Sequence, residues 1–336
     1  MTTLADVAKH AGVAASTVSY VLSGKRPVAE ETRRRVMDSI ALLNYHPHAG
    51  ARALASSRSN VLAMFVPLRS DQFVPTMMEI AIGVTTAARD HGYDVLLLTN
   101  EEGTNRVVAS ARADAVILTD VTMDDDRVPA LRAAAGQMGH CPVVLIGVPA
   151  DPAGLDCVDL DFAAAGRSCV EHLARLGHRE IALIGQPEVV YHRRVGFADR
   201  TLAGVRAAAA DFGVGLVHRP CESSFEAAAG VLARVLEERP RTSGLIVQNE
   251  AVVPPLLSLL RTAGRAVPED VSIVALCPDQ IAEQTSPRLT SVTIPATELG
   301  VRAVAALMRR LKDGSVGKVE LLTPVLTVRG STMIAR

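Results

Sequence analysis

The sequence contains no tryptophan, and only 3% of its residues are aromatic. A platform of rings for stacking single-stranded nucleic acid is therefore not expected. The core must be filled by Ala, Val, Leu and Ile, as layers of helix on parallel sheet allow. No apolar run approaches the length of a membrane span, and Met1-Thr2-Thr3-Leu4-Ala5-Asp6 opens an amphipathic helix, not the apolar core of a secretory signal. The cysteines, Cys141, Cys157, Cys169, Cys221 and Cys277, form no C-x-x-C pair and sit in apolar or loop sequence. They read as buried free thiols of a reducing compartment, which puts the chain in the cytoplasm. There is no G-x-G-x-x-G, P-loop or G-x-S-x-G, and no His/Cys cluster with metal spacing. Neither an enzyme nor a protein with a metal or other cofactor is expected.

What is present is unevenly distributed. With 336 residues, 49% of them hydrophobic, the chain is too long for one small core and reads as a small module plus a large body. Its net charge is −1, yet residues 1–60 hold eight cations (Lys9, Lys25, Arg26, Arg33, Arg34, Arg35, Arg52, Arg58) against four acids (Asp6, Glu30, Glu31, Asp38). The remainder holds 27 basic and 32 acidic residues. A basic head on an acidic body is the asymmetry expected when only the head meets phosphate. The run Arg33-Arg34-Arg35 reads as a solvated helix face and is given no base contact.

Thr3 and Asp6 have capping-box spacing, and Leu4, Val7, Ala8 and Ala11 recur at helical intervals, predicting a helix over 4–11 that Gly12-Val13 ends. A second helix is predicted over 15–22 with Val18, Val21 and Leu22 inward, and a third over 30–43 with Val36, Ile40 and Leu43 on one face. Two short helices joined by a tight turn and closed by a third make a helix-turn-helix head, residues 1–46. Residues 47–58, from Pro47 through the Ala-rich His48–Ser57, have too few apolar side chains to hold a helix alone and read as a hinge helix that orders on docking.

Beyond residue 60 the pattern is α/β. Apolar runs at 61–66, 95–98, 115–118 and 143–146 alternate with Ala-rich segments at 75–91, 104–112 and 127–139. A second series has strands at 181–184, 216–218, 244–247 and 271–276 and helices at 162–177, 196–212, 224–238 and 251–264. Two such series predict two doubly wound parallel-sheet lobes with a cleft between them. The tail, with strands near 290–294 and 321–329 and a helix over 296–312, returns to complete both: 60–159 with 291–317 form the first lobe, 160–290 with 318–336 the second.

The run from Leu4-Ala5-Asp6-Val7-Ala8 through Ser16-Thr17-Val18-Ser19-Tyr20-Val21-Leu22-Ser23-Gly24, then Glu30-Glu31-Thr32-Arg33 and Asn44-Tyr45-His46-Pro47, closely resembles the head of the lactose-repressor (LacI/GalR) family. Similarity continues at Gly177-His178-Arg179, Val267-Pro268-Glu269-Asp270-Val271-Ser272 and Leu289-Thr290-Ser291-Val292, so it covers essentially the whole chain. The resemblance implies a periplasmic-binding-protein-like body and a DNA-binding transcription repressor. It further implies a homodimer on palindromic double-stranded operator DNA, governed by a small-molecule effector in the cleft, a sugar or related metabolite. By the family pattern Ala15, Ser16 and Tyr20 reach base edges, Thr17, Ser19, Ser23 and Lys25 hold phosphates, and Thr3 and Leu4 join the DNA face. Ala51 and Leu54 enter the minor groove as a wedge, with Arg52 on phosphate or groove edge. Tyr20 departs from the Arg frequent at its position, and Ala14 and Ala29 stand where Ser commonly caps, weakening those helix starts by about 0.5–2 kcal/mol each.

For the cleft, the carboxyl ends of the strands and the resemblance together single out Phe73, Arg200, Phe225, Asn249, Glu250, Cys277 and Asp279 as ligand-binding. The bland alternatives are a core role for Phe225 and a helix cap for Asn249. Three family features are missing: Thr201 replaces an Arg, Ala275-Leu276-Cys277-Pro278 replaces Gly-x-Asp-Asp, and Thr76-Met77 replaces an aromatic pair. Rival readings are an enzyme on a doubly wound body, an extracytoplasmic binding protein, and a regulator with the same head whose effector is a phosphoprotein or corepressor.

Overall fold

The computed structural model describes residues 2–23, 26–45, 59–69, 71–99, 113–129, 131–132, 141–314 and 317–335. The expected hinge, the helix expected at 104–112 and most of that at 127–139 lie outside the described residues.

The head is three helices, α1 (Leu4–Ala11), α2 (Ala15–Ser23) and α3 (Glu30–Leu42). At α1 the capping box forms: the Asp6 amide donates to Thr3 Oγ1, and the Thr3 amide donates to the Asp6 carboxylate at 2.8 Å. Gly12 ends the helix with φ +65°, a left-handed cap open to glycine. Val7, Ala8, Ala11, Val18, Val21, Val36 and Tyr45 close the core. Ala29 leaves α3 without a side-chain cap.

The body has two six-stranded sheets. In chain order the first lobe contributes β1 (Val61–Phe65), α4 (Val74–Asp90), β2 (Asp94–Leu98), β3 (Ala115–Leu118), β4 (Val143–Ile146) and β5 (Asp156–Leu160). The second contributes α5 (Phe162–Arg175), β6 (Glu180–Ile184), α6 (Glu188–His192), α7 (Gly196–Asp211), β7 (Gly215–Arg219), α8 (Phe225–Glu238), β8 (Gly244–Val247), a 3₁₀ turn at Glu250–Val252, α9 (Val253–Thr262), β9 (Ser272–Cys277) and α10 (Asp279–Gln284). The tail is β10 (Thr290–Thr293), α11 (Ala296–Asp313), β11 (Val319–Leu322) and β12 (Leu326–Thr327). Strand orders are β2-β1-β3-β4-β5-β11 and β7-β6-β8-β9-β10-β12. All pairs are parallel except β12 against β10. Each order reverses once near one side, between β1 and β3 and between β6 and β8, which is where open sheets of this kind leave a crevice.

The tail corrects the expected lobe boundaries. Residues 290–293 pair with β9 in the second sheet, and 319–322 pair with β5 in the first. The chain therefore crosses between lobes after β5, after β10 and after β11. The sequence pattern also missed β5, because Asp156 and Asp159 interrupt its apolar run although every residue in it is buried. Asp156 is tolerated there because Arg309, Arg310 and the Lys318 amide all donate to it, tying β5 to α11 and to the approach of β11.

Among the described residues each lobe holds a helix pair in backbone contact. A Cβ on Gly83 of α4 would run into the Thr297 carbonyl oxygen of α11, and one on Gly300 would run into that of Ile80. In the second lobe Gly166 of α5 and Gly204 of α7 meet the same way, against the Thr201 and Ala163 carbonyl oxygens. Backbone atoms cannot rotate away, so Gly300→Val is expected to lower the unfolding free energy by about 3 kcal/mol in urea titration. Gly230→Ala, on α8 with nothing within 4 Å of the added carbon, is the control. It is expected to be neutral or stabilising by up to about 1 kcal/mol.

Candidate functional site

In the head, Val18 and Val21 turn inward, which leaves Ala15 and Ser16 exposed and Thr17, Ser19 and Tyr20 half-buried on the rest of α2. The Arg26 guanidinium stands 5.2 Å from the Tyr20 ring centroid, a cation–π contact that holds the ring in place. Thr3 is exposed and engaged in its cap, where its hydrogen bonds hold the Asp6 carboxyl below the ordinary carboxylate value. Leu4 packs half-buried against the head core. The Ser23 side chain and Lys25, Ala51, Arg52 and Leu54 lie outside the described residues.

In the body, the segments that follow β1, β3, β6 and β8 converge on a cavity of about 120 Å³ between the lobes. Both sheet-order reversals thus open onto one space. Its apolar walls include Phe73, Met77, Ile80, Val121, Phe162 and Phe197. Its polar groups include Asp71, Gln72, Thr76, Asp120, Asp159, Gln186, Arg193 and Glu250. Gln72 Oε1 and Arg193 Nε are buried there without a hydrogen bond. Such atoms are costly unless something meets them.

Glu250 starts the 3₁₀ turn after β8 and is 6% exposed. Its carboxylate accepts from Thr76 Oγ1 at 3.5 Å, across the lobes, and from Gln186 Nε2 at 3.4 Å. Asp159, at the end of β5, is 5% exposed and accepts from the Leu160 amide at 2.9 Å. Burial pushes both carboxyls up to about 7.

The rim of the cavity is latched. Arg193, which caps α6, donates to Asp120 at 3.0 Å and to Asp71 at 2.5 Å, both in the first lobe. Asp120 also pairs with Arg69. Next to it, Arg194 reaches Asp124, the Met123 amide donates to the Arg194 carbonyl at 2.8 Å, and the Gly196 amide donates to the Val121 carbonyl at 3.0 Å. Arg200 donates to the carbonyls of Val148 and Pro149.

Of the seven ligand residues expected from sequence, Phe73 and Glu250 line the cavity and five do not. Arg200 is turned to the inter-lobe carbonyls just described. Asn249 caps the 3₁₀ turn through the Ala251 amide and donates to the Cys221 carbonyl at 2.8 Å, the bland role. Cys277 is sealed in the second-lobe core. Asp279 pairs with Arg329 and accepts from Thr293. Phe225 opens α8 and is 51% exposed, neither core nor cavity wall. The sequence reading missed Asp120, Asp159, Gln186 and Arg193. Asp120 and Gln186 follow β3 and β6 closely and were within reach of the strand-end rule, whereas Asp159 carries no local signal because it sits inside a strand.

Residues 3–48 match the model of bacterial regulatory proteins of the lacI family, and residues 170–332 match a periplasmic binding protein-like domain. The HTH-type transcriptional repressor PurR of Photobacterium profundum is 28% identical, over 98% of both chains. The HTH-type transcriptional regulator CelR of Thermobifida fusca is 28% identical over 95% of both. Among solved structures, the Lac repressor dimer bound to operator and the anti-inducer ONPF matches with a TM-score of 0.84 at 23% identity, over 99% of each chain. The CelR–cellobiose complex matches with a TM-score of 0.69 at 26% identity, over 98% of this chain and 100% of that one.

The raised carboxyls fix the sign of a pH effect. Between the ordinary glutamate value of 4.5 and about 7, the folded chain keeps a proton on Glu250 that the unfolded chain has released. Its stabilising share is therefore complete below 4.5 and lost as pH rises through about 7. In thermal melts from pH 5 to 8, Glu250→Gln is expected to lose less Tm than the parent. A steeper loss in the variant would contradict the burial of an uncompensated carboxyl.

Proposed function

Because the chain belongs to the lactose-repressor (LacI/GalR) family, we propose that it is a sequence-specific transcription repressor whose hold on DNA is set by a small molecule in the cleft. The observation that carries this is the coincidence of both sheet-order reversals on one partly polar cavity, in a chain that also bears a helix-turn-helix head. Among the described residues no helix is long and apolar enough to cross a membrane. A cytoplasmic homodimer on a palindromic operator fits this architecture.

In the head, Ala15, Ser16 and Tyr20 face base edges, and Thr17, Ser19, Ser23 and Lys25 hold phosphates, with Thr3 and Leu4 at the margin. Ala51 and Leu54 of the hinge would wedge the minor groove, with Arg52 beside them. In the cleft, Phe73 and Glu250 bind the effector. A ligand changes DNA affinity only if it prefers one lobe arrangement, and two heads on a dimer must keep a fixed separation to meet both half-sites. The latch from Arg193 to Asp71 and Asp120 is the element such a ligand biases.

Two measurements test this. Metabolites that raise the Tm of the full chain by mass action are expected to change operator affinity as well. Stabilisation without any change in operator affinity would separate the cleft from the head and overturn the proposal. Tyr20→Phe keeps the ring against Arg26 and removes only the hydroxyl. It is expected to weaken operator binding by about 1 kcal/mol and to leave non-specific binding at equal salt unchanged.

A further inference from the structure

Resting on that reading of the cleft, we propose that the effector is a compact organic cation, an ammonium or amidinium group on an apolar body, met by Asp159 and Glu250. The charges lining the cavity divide into two sets. Asp71 and Asp120 are answered by Arg193 and Arg69. Asp159 and Glu250, although 5% and 6% exposed, have no ion-pair partner among the described residues. Arg200 is the cation that acts on Asp159, and its guanidinium is committed to the Val148 and Pro149 carbonyls. The hydrogen bond to Asp159 comes from the Leu160 amide to Oδ1, so Oδ2 is an unpartnered acceptor on a buried side chain lining the cavity. Besides its own backbone amide, the donors to Glu250 are Gln186 and Thr76, at 3.4 and 3.5 Å, the outer limit of a hydrogen bond.

Two buried carboxyls with no ion pair in contact among the described residues are satisfied in one of two ways, by keeping their protons or by gaining a cation. A neutral polyol supplies hydroxyl donors but no charge, and an anion is repelled by each carboxylate. A cation makes charge-assisted bonds to carboxylates, and Phe73, Phe162 and Phe197, which also line the cavity, are apolar surface for its body. The two acids also come from opposite lobes, Asp159 from β5 and Glu250 from the turn after β8. A cation held by both favours the closed arrangement over any in which they separate, which is the differential affinity a switch requires.

The test is a thermal shift of the full chain at neutral pH with matched pairs: cyclohexylamine against cyclohexanol, and glucosamine against glucose. The amine of each pair is expected to raise Tm and the neutral member to do so at least about tenfold less potently. Asp159→Asn and Glu250→Gln, nearly isosteric, are expected to abolish the preference for the amine. The proposal falls if the neutral members stabilise as well as the amines, if neither amine stabilises the parent, or if the preference survives both substitutions. Fractions of a metabolite extract, separated by charge and assayed for a change in operator affinity, distinguish the two claims. A change caused by a neutral or anionic fraction alone keeps the repressor reading and ends this one, whereas no change with any fraction ends both.

Discussion

The body depends on the chain crossing between its lobes three times, after β5, β10 and β11. Three connections hold the two sheets side by side, so the crevice at the sheet-order reversals is built into the topology. The crossings also explain the tail: β10 completes one sheet, α11 returns to pack on α4, β11 closes the other sheet, and β12 goes back. Neither lobe is complete without strands that reach it through the crossings. The glycine pairs within each lobe let α4 and α11, and α5 and α7, meet backbone against backbone.

Across the crevice the contacts include ion pairs from Arg193 and Arg194 and hydrogen bonds to backbone carbonyls. Burying Arg193, Asp71 and Asp120 removes hydration that each regains on opening, and the desolvation penalty offsets much of the Coulombic attraction. A latch of this kind is strict about geometry and modest in net free energy. That combination suits a two-state element, which must be definite in each state yet movable by the few kcal/mol a small ligand supplies. The carboxyls of Asp159 and Glu250 belong to the cavity and not to the latch, so their charge state responds to what fills the cavity.

Much of the fold was legible in the sequence because it is written in local periodicity. The capping box at Thr3 and Asp6, the glycine at 12 and the inward stripe of α2 gave the head nearly to the residue, and the alternation of apolar runs gave the two lobes. What failed was long-range. β5 was invisible because its two acids find their reasons elsewhere, Asp156 in α11 and Asp159 at the cavity. The assignment of β10 and β11 to lobes depends on pairing partners far away in the chain. Asn249, Cys277 and Asp279 lie at the carboxyl ends of strands as the rule required, but each turns to a cap, a core or an arginine. The strand-end rule locates a region, and side-chain partners decide who faces the space.

One segment joins functions that are otherwise apart. Between residues 186 and 200, Gln186, Val190, Arg193 and Phe197 touch the cavity, while Arg193, Arg194, Gly196 and Arg200 fasten the first lobe. Cavity lining and inter-lobe contact thus share a single stretch of α6 and the start of α7. A substitution between residues 186 and 200 therefore alters the shape of the cavity and the fastening of the lobes together, whereas one at Phe73 or Met77 on the opposite wall alters the cavity without removing any of those inter-lobe bonds.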